Sequence, residues 1–278
     1  MADAVGMIGL GEMGLPMARN LLKGGFAVVG IDVSEAARER ARAAGAQVVR
    51  TVAEVAQHAT RAVLCIVRDL PQTEAVLFGD EGLASSGRSG LVVVVMSTLS
   101  PAAMRAVGER AQRAGFPVLD APVSGARVGA EAGTLTIMVA GPREHHEACL
   151  PYFKAMGKNV FHLGDEPGAG QAAKLANNLM LAAAMVGCAE GMRYGARHGL
   201  SEDRLLDLLR VSTGNSWVVQ HWEDVRRWWA EYRPGATLDI VAKDLKAIVN
   251  ECNTAGSPLA LTDACFGALM DARDRPRS

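Results

Sequence analysis

With 278 residues, 49% of them hydrophobic, the chain has ample material for a real core in one large or two medium domains. Its 29 basic and 30 acidic residues leave a net charge of −1 and are spread along the chain, which argues against nucleic acid or an anionic membrane surface as a partner. Five well-separated cysteines without a Cys-x-x-Cys pair read as reduced core thiols. With no signal peptide and no unbroken apolar run of membrane-spanning length, a soluble, cytoplasmic protein is expected.

The first apolar run, 4–10, leads directly into Gly9-Leu10-Gly11-Glu12-Met13-Gly14 and then a helical pattern through Leu22. In that strand-turn-helix context Gly9 permits the tight turn, Gly11 lets the backbone approach a pyrophosphate, and Gly14 lets the helix pack on the strand, with Leu10, Glu12 and Met13 completing the loop. The helix then presents free N–H groups and its positive end to the phosphates. A second apolar run, 26–31, ends in Asp32, eighteen residues after Gly14, where a carboxylate accepts from the ribose hydroxyls. Its charge would repel a 2′-phosphate, so NAD is the expected cofactor and NADP the less favoured one. The arginines between 38 and 42 read as a solvated helix face.

Further strands are predicted over 62–67, 91–96 and 116–119, with helical stretches between, which implies a parallel, doubly wound sheet. Ligands collect at the carboxyl ends of such strands, so Val67, Arg68 and Thr98 are candidate cofactor contacts. Ser97 or Thr98 serves equally well as a cap for the helix that begins at Pro101. A further strand end carries Asp120-Ala121-Pro122-Val123-Ser124-Gly125-Ala126-Arg127. Small residues with free N–H groups after a proline turn make an anion-binding concavity suited to a carboxylate. Arg127 would add a bidentate contact, or face solvent as loop arginines commonly do. One more strand lies between Gly133 and Gly141.

After a hinge at 164–168, one helix is predicted over 168–198, closed by Gly199. It would span roughly 40 Å and bridge two domains, 1–164 and 165–278. It is uncharged from Leu175 to Ala189, so burial on all sides is expected, against domains or subunits, and a homodimer or homotetramer follows. Lys174 and Asn178 stand four residues apart on one face at its entrance. A lysine desolvated there can trade a proton near neutral pH, with Asn178 holding it or a substrate oxygen. The competing reading has Lys174 snorkelling to solvent and Asn178 capping backbone. The six histidines show no ligand spacing, so no metal is expected.

Four segments together resemble the β-hydroxyacid dehydrogenases, the family of 3-hydroxyisobutyrate dehydrogenase and tartronate semialdehyde reductase. They are the glycine turn from Gly9 to Met17, the stretch from Asp120 to Gly125, the stretch from Gly168 to Asn178, and Lys243-Asp244-Leu245. They occur in the family's order and cover nearly the whole chain. The resemblance implies a Rossmann-type doubly wound α/β domain followed by an all-α domain, joined by the long interdomain helix, with the site in the cleft. It implies Lys174 as catalytic acid/base, Asn178 as substrate orienter, the Ser124-Gly125 turn as carboxylate holder and Lys243 near cofactor or substrate. The loop 212–217, ending in Trp217, resembles the family's substrate-side loop. The expected activity is hydride transfer between NAD and a small 3-hydroxy carboxylic acid. The alternatives are a reductase of a small semialdehyde or keto acid, and a non-catalytic NAD-binding protein.

The chain departs from the family pattern where a second glycine is usual, at Ala126, and at Arg127, where a small or apolar residue is usual. Both changes bear on the substrate pocket. Three of the four tryptophans stand at 222, 228 and 229, either closing over the cleft, forming a subunit contact, or packing a helix on its own domain.

Overall fold

The computed structural model describes residues 3–230 and 237–274. The chain divides into two compact units, Met1–Lys174 and Leu175–Ser278, and the division falls inside the long helix.

In the first unit a six-stranded parallel sheet has the order β3-β2-β1-β4-β5-β6. Its strands are β1 (Ala4–Ile8), β2 (Ala27–Ile31), β3 (Gln47–Val48), β4 (Ala62–Cys65), β5 (Val92–Val95) and β6 (Val118–Asp120). The inner strands read as continuous apolar runs, AVLC in β4 and VVVV in β5, because helices cover both faces of a parallel sheet. One face packs Met7, Leu64 and Leu119 with Tyr152 and Phe153; the other packs Val63, Val93 and Val95 with Met104 and Phe116. The crossover helices are α1 (Gly14–Lys23), α2 (Glu35–Ala43), α3 (Val52–His58), α4 (Leu70–Phe78) and α5 (Pro101–Arg113). Ser34, Thr51, Asp69 and Ser100 accept a backbone N–H at the starts of α2 to α5, as short polar side chains at a helix start do. Of the arginines of α2, Arg40 and Arg42 are exposed as expected, whereas Arg38 is half-buried and donates to the Asp32 carbonyl; Arg38 and Arg42 both pair with Glu35.

Sequence implied a single sheet, and the structure has two. After β6 the chain makes one antiparallel bridge, Asp120 with Ala140, and a three-stranded sheet follows in the order β7-β8-β9. It comprises β7 (Val123–Ser124), β8 (Leu135–Val139) and β9 (Gly157–His162), with α6 (Ala126–Ala132) and α7 (Arg143–Met156) between them. The divergence sits at Pro122, which has no N–H for a ladder and accepts only, from Met138 at 3.0 Å. His146 and His162, unremarkable in sequence, stack here with ring centroids 4.8 Å apart.

The second unit is helical among the described residues. It contains most of α8 (Ala169–Arg197), then α9 (Glu202–Arg210), α10 (Trp217–Gln220), α11 (Trp222–Ala230), α12 (Thr237–Thr254) and α13 (Ala260–Asp274). Gly199 closes α8 at φ +80°, as its position predicts. The core joins Ala182, Met185, Val218, Trp222, Val225 and Leu245. Of the readings open for the tryptophans, the helix packed on its own domain describes α11: Trp222 is buried, with Trp229 beside it at 6.4 Å.

Two features of α8 bear on what its sequence implies. The helix is not buried all round within this chain: Leu175, Asn178, Ala182, Met185 and Met192 form a buried stripe, whereas Met180 is 71% and Tyr194 68% exposed. Alanine and glycine are apolar without being large, so an uncharged run does not by itself require burial; the larger residues, spaced by three and four, mark the buried face. The same dilution does not disqualify α8 as a membrane-length segment. With 29 residues and a mean hydropathy of 1.3 in its most apolar window, it is long and apolar enough to cross a membrane by length and composition alone.

Candidate active site

The glycine turn has the geometry its spacing predicts. Gly9 has φ +94°, and a side chain there would meet the Ile66 carbonyl at 2.1 Å; one at Gly14 would meet the Gly9 carbonyl at 1.9 Å. Both positions are closed to any Cβ. At Gly11 nothing lies within 4 Å of where a Cβ would stand, so the backbone is bare on its outer side. That contrast, tight inside and open outside, fits a pyrophosphate lying along the turn at the start of α1. Leu10 is buried, Met13 half-buried and Glu12 exposed. The Asp32 carboxylate is aimed at this turn, Oδ2 accepting from the Leu10 N–H at 2.7 Å and Oδ1 from the Ser34 N–H at 2.8 Å. A half-buried carboxylate held at the end of β2 fits a ribose diol.

The ends of β4 and β5 lie side by side. Ser97, nearly fully buried, accepts from the Val67 N–H at 2.9 Å, so it joins two strand ends and is not the cap of α5, which is Ser100. Thr98 is half-buried, and Arg68 is exposed, its N–H donating to Gln72 at 3.0 Å.

The first turn of α8 is tied to the same strand ends. Asp120, with no exposed surface, accepts from the Gly168 N–H at 3.1 Å and from the Gln171 N–H at 2.8 Å. Burial pushes its carboxyl up to about 6, against the opposing pull of those backbone donors. Gln171, also fully buried, accepts from the Leu99 N–H at 2.9 Å and donates to the Ser97 carbonyl at 3.0 Å. A side chain at Gly170 would lie 2.4 Å from the Met138 carbonyl, so this turn packs against β8 as only glycine allows. Lys174 follows, half-buried, one turn further along.

The Ser124 turn lies between β7 and α6. Ser124 is half-buried, and Gly125 and Ala126 follow with φ +130° and +52°. Ala126 is the one non-glycine residue with positive φ among the described residues, at the position where sequence marked a departure from the family pattern. Arg127 is exposed but engaged, with Nε on Glu131 at 2.7 Å and Nη1 3.9 Å from Glu12 of the glycine turn. Its guanidinium therefore faces carboxylates of the chain itself.

In the second unit Asn178, 3% exposed, donates through Nδ2 to Asp244 Oδ2 at 2.6 Å. Lys243 reaches the other oxygen of Asp244 with Nζ at 3.1 Å, and its side chain is 40% exposed. One buried carboxylate thus organises the two polar groups that sequence selected separately. Trp217 opens α10, half exposed, and stacks on His221 at 4.2 Å and Trp228 at 6.0 Å. Sequence reasoning did not select Ser97 as a strand tie, nor Asp120, Gln171 or Asp244 as working residues. The available signal was that each is a polar residue inside an otherwise apolar or glycine-rich motif.

Comparison with known proteins gives matches over nearly the full length. Residues 4–164 match the family model described as the NAD binding domain of 6-phosphogluconate dehydrogenase, and residues 168–275 that described as the NAD-binding of NADP-dependent 3-hydroxyisobutyrate dehydrogenase. The chain is 38% identical to the NAD-dependent L-serine dehydrogenase of Pseudomonas aeruginosa, over 87% of this chain and 82% of that one. It is 34% identical to the L-threonate dehydrogenase of Cupriavidus necator, over 98% and 91% respectively. Among solved structures, the 3-hydroxyisobutyrate dehydrogenase of Mycobacterium tuberculosis with L-serine aligns with a TM-score of 0.84 at 29% identity, covering 99% of this chain and 95% of that one.

Proposed function

The chain belongs to the β-hydroxyacid dehydrogenase family, and from that premise we propose that it oxidises a small 3-hydroxy carboxylic acid, with Lys174 as general acid/base. It is an oxidoreductase acting on a CH–OH group, and NAD is its cofactor. The glycine turn, the bare backbone at Gly11 and the Asp32 carboxylate are the groups that would hold the dinucleotide. When bound, NAD supplies the hydride acceptor.

In this reading Lys174 Nζ takes the hydroxyl proton as the carbinol carbon loses hydride, and in the reverse direction it donates that proton to the developing alkoxide. Asn178, fixed by Asp244, orients the substrate oxygen, and the Ser124-Gly125 turn holds the carboxylate through small residues and backbone donors. Arg127, committed to Glu131 and Glu12, trims the rim of that turn. Val67, Arg68 and Thr98 border the cofactor, Lys243 stands near cofactor or substrate, and Trp217 borders the substrate side. The observation that carries the reading is the attachment of the helix bearing Lys174, through Asp120 and Gln171, to the ends of β5 and β6 in the same parallel sheet that carries the dinucleotide turn.

The enzyme works in the cytoplasm as a homo-oligomer, a second copy covering the face of α8 that presents Met180 and Tyr194. The testing experiment is reduced-nicotinamide formation from NAD or NADP with 3-hydroxyisobutyrate, 3-hydroxypropionate, glycerate, L-serine and threonate, wild type beside Lys174→Ala. Turnover with NAD that vanishes in the variant supports the reading. Bound NAD with no turnover in either direction would support a non-catalytic binding protein.

A further inference from the structure

We propose that Asp120 and Gln171 are positioning residues for Lys174, fixing the height and rotation of the first turn of α8 so that the amine is presented to the reacting carbon. This rests on the reading of Lys174 as acid/base.

A helix begins with N–H groups that lack intrahelical partners, and α2, α3, α4 and α5 each satisfy one of them with an adjacent serine, threonine or aspartate. At α8 the arrangement is different. The acceptor, Asp120, comes from the end of β6, 48 residues before Gly168, and each of its two oxygens takes a separate N–H of the same turn. Those two bonds set how far the helix stands from the sheet. They leave rotation to a second fastening, and Gln171 supplies it by clasping the chain on either side of Thr98: its Oε1 accepts from Leu99 N–H and its Nε2 donates to Ser97 C=O. Ser97 in turn is bonded to Val67 at the end of β4. Three adjacent strand ends and one helix start are therefore joined by polar bonds, those of Asp120 and Gln171 fully buried and that of Ser97 to Val67 partly buried.

Apolar side chains would hold a helix on a sheet without desolvating a carboxylate and an amide. What polar bonds add is direction: each tolerates little displacement, whereas apolar contacts slide. The glycine at 170 lets the helix come close enough for the bonds to form. Lys174 lies three residues beyond Gln171, so rotation of this turn swings its amine directly.

The test is a double-mutant cycle. Gln171→Leu and Asp120→Asn should each lower kcat about 10- to 100-fold, as expected for a reacting group displaced by about 1 Å, with KM and NADH affinity nearly unchanged. In a Lys174→Ala background, small primary amines should restore turnover if Lys174 is the acid/base, and Gln171→Leu should then change the amine-rescued rate by less than about twofold. An equal loss in both backgrounds, or no loss of kcat in the single variants, overturns the proposal while leaving Lys174 as acid/base. Full turnover in Lys174→Ala alone overturns both, and that single variant identifies the reason. Should Gln171→Leu fail to fold, Asp120→Asn, which conserves volume, carries the same cycle.

Discussion

Asn178 and Asp244 stand 66 positions apart in the chain and share a 2.6 Å hydrogen bond at a site where neither side chain reaches solvent to any extent. Because the carboxylate also meets Lys243, it has one oxygen for each neighbour. Asp244→Ala leaves the Asn178 amide buried without its acceptor and should cost about 1–3 kcal/mol in denaturant unfolding, with kcat reduced. Asp244→Asn keeps an acceptor for Asn178 but loses the ion pair, so its stability should fall by less than half as much. Equal losses for the two variants would remove Asp244 as the organiser of this pair.

The glycine turn makes a contrast that separates folding from cofactor binding. Gly9→Ala puts a methyl group on the Ile66 carbonyl, so thermal unfolding should show a loss of about 3 kcal/mol or more. Gly11→Ala meets nothing within 4 Å and should leave stability within about 0.5 kcal/mol. Its methyl instead occupies the surface proposed for the pyrophosphate. NADH affinity by fluorescence titration should fall at least about tenfold. Unchanged affinity in Gly11→Ala would move the phosphates elsewhere.

Asp32 is fixed by two backbone donors and would accept from the ribose diol with a full negative charge. Replacing it with asparagine removes that charge, and the expected loss in kcat/KM for NAD is about 10- to 100-fold, with a smaller change for NADP. If the NAD to NADP preference of Asp32→Asn matches that of wild type, this carboxylate does not select the cofactor.

Asp120 ties pH to stability in a direction opposite to that of a salt-bridged acid. Burial raises its carboxyl from 3.8 to about 6, so between those values the folded chain holds a proton that the unfolded chain has lost. The contribution of this group therefore favours the fold below about pH 4 and declines as pH rises to about 6, by about 3 kcal/mol in all. Asparagine does not titrate. The stability of wild type minus that of Asp120→Asn, from unfolding curves at several pH values, should fall across this window and be level above it. A difference that is flat or rises with pH would contradict the assignment.

Much of this was legible in one dimension because it is local. The glycines at 9, 11 and 14, the acid at 32, the apolar runs of the sheet and the glycine closing α8 all act on neighbours a few residues away, so spacing alone determines their geometry. Lys174, Asn178 and the Ser124 turn could be selected for the same reason, each being a chemically distinct residue in a short motif.

What the tertiary structure alone decided are the pairings across distance. No spacing rule joins Asp120 to Gln171, Asn178 to Asp244, or Arg127 to Glu12, because such bonds depend on which strand ends and helix starts the fold brings together. The branching into a second sheet at Pro122 and the exposed face of α8 belong to the same class. Composition states what a segment tolerates, whereas burial and hydrogen-bond partners are properties of the whole arrangement around it.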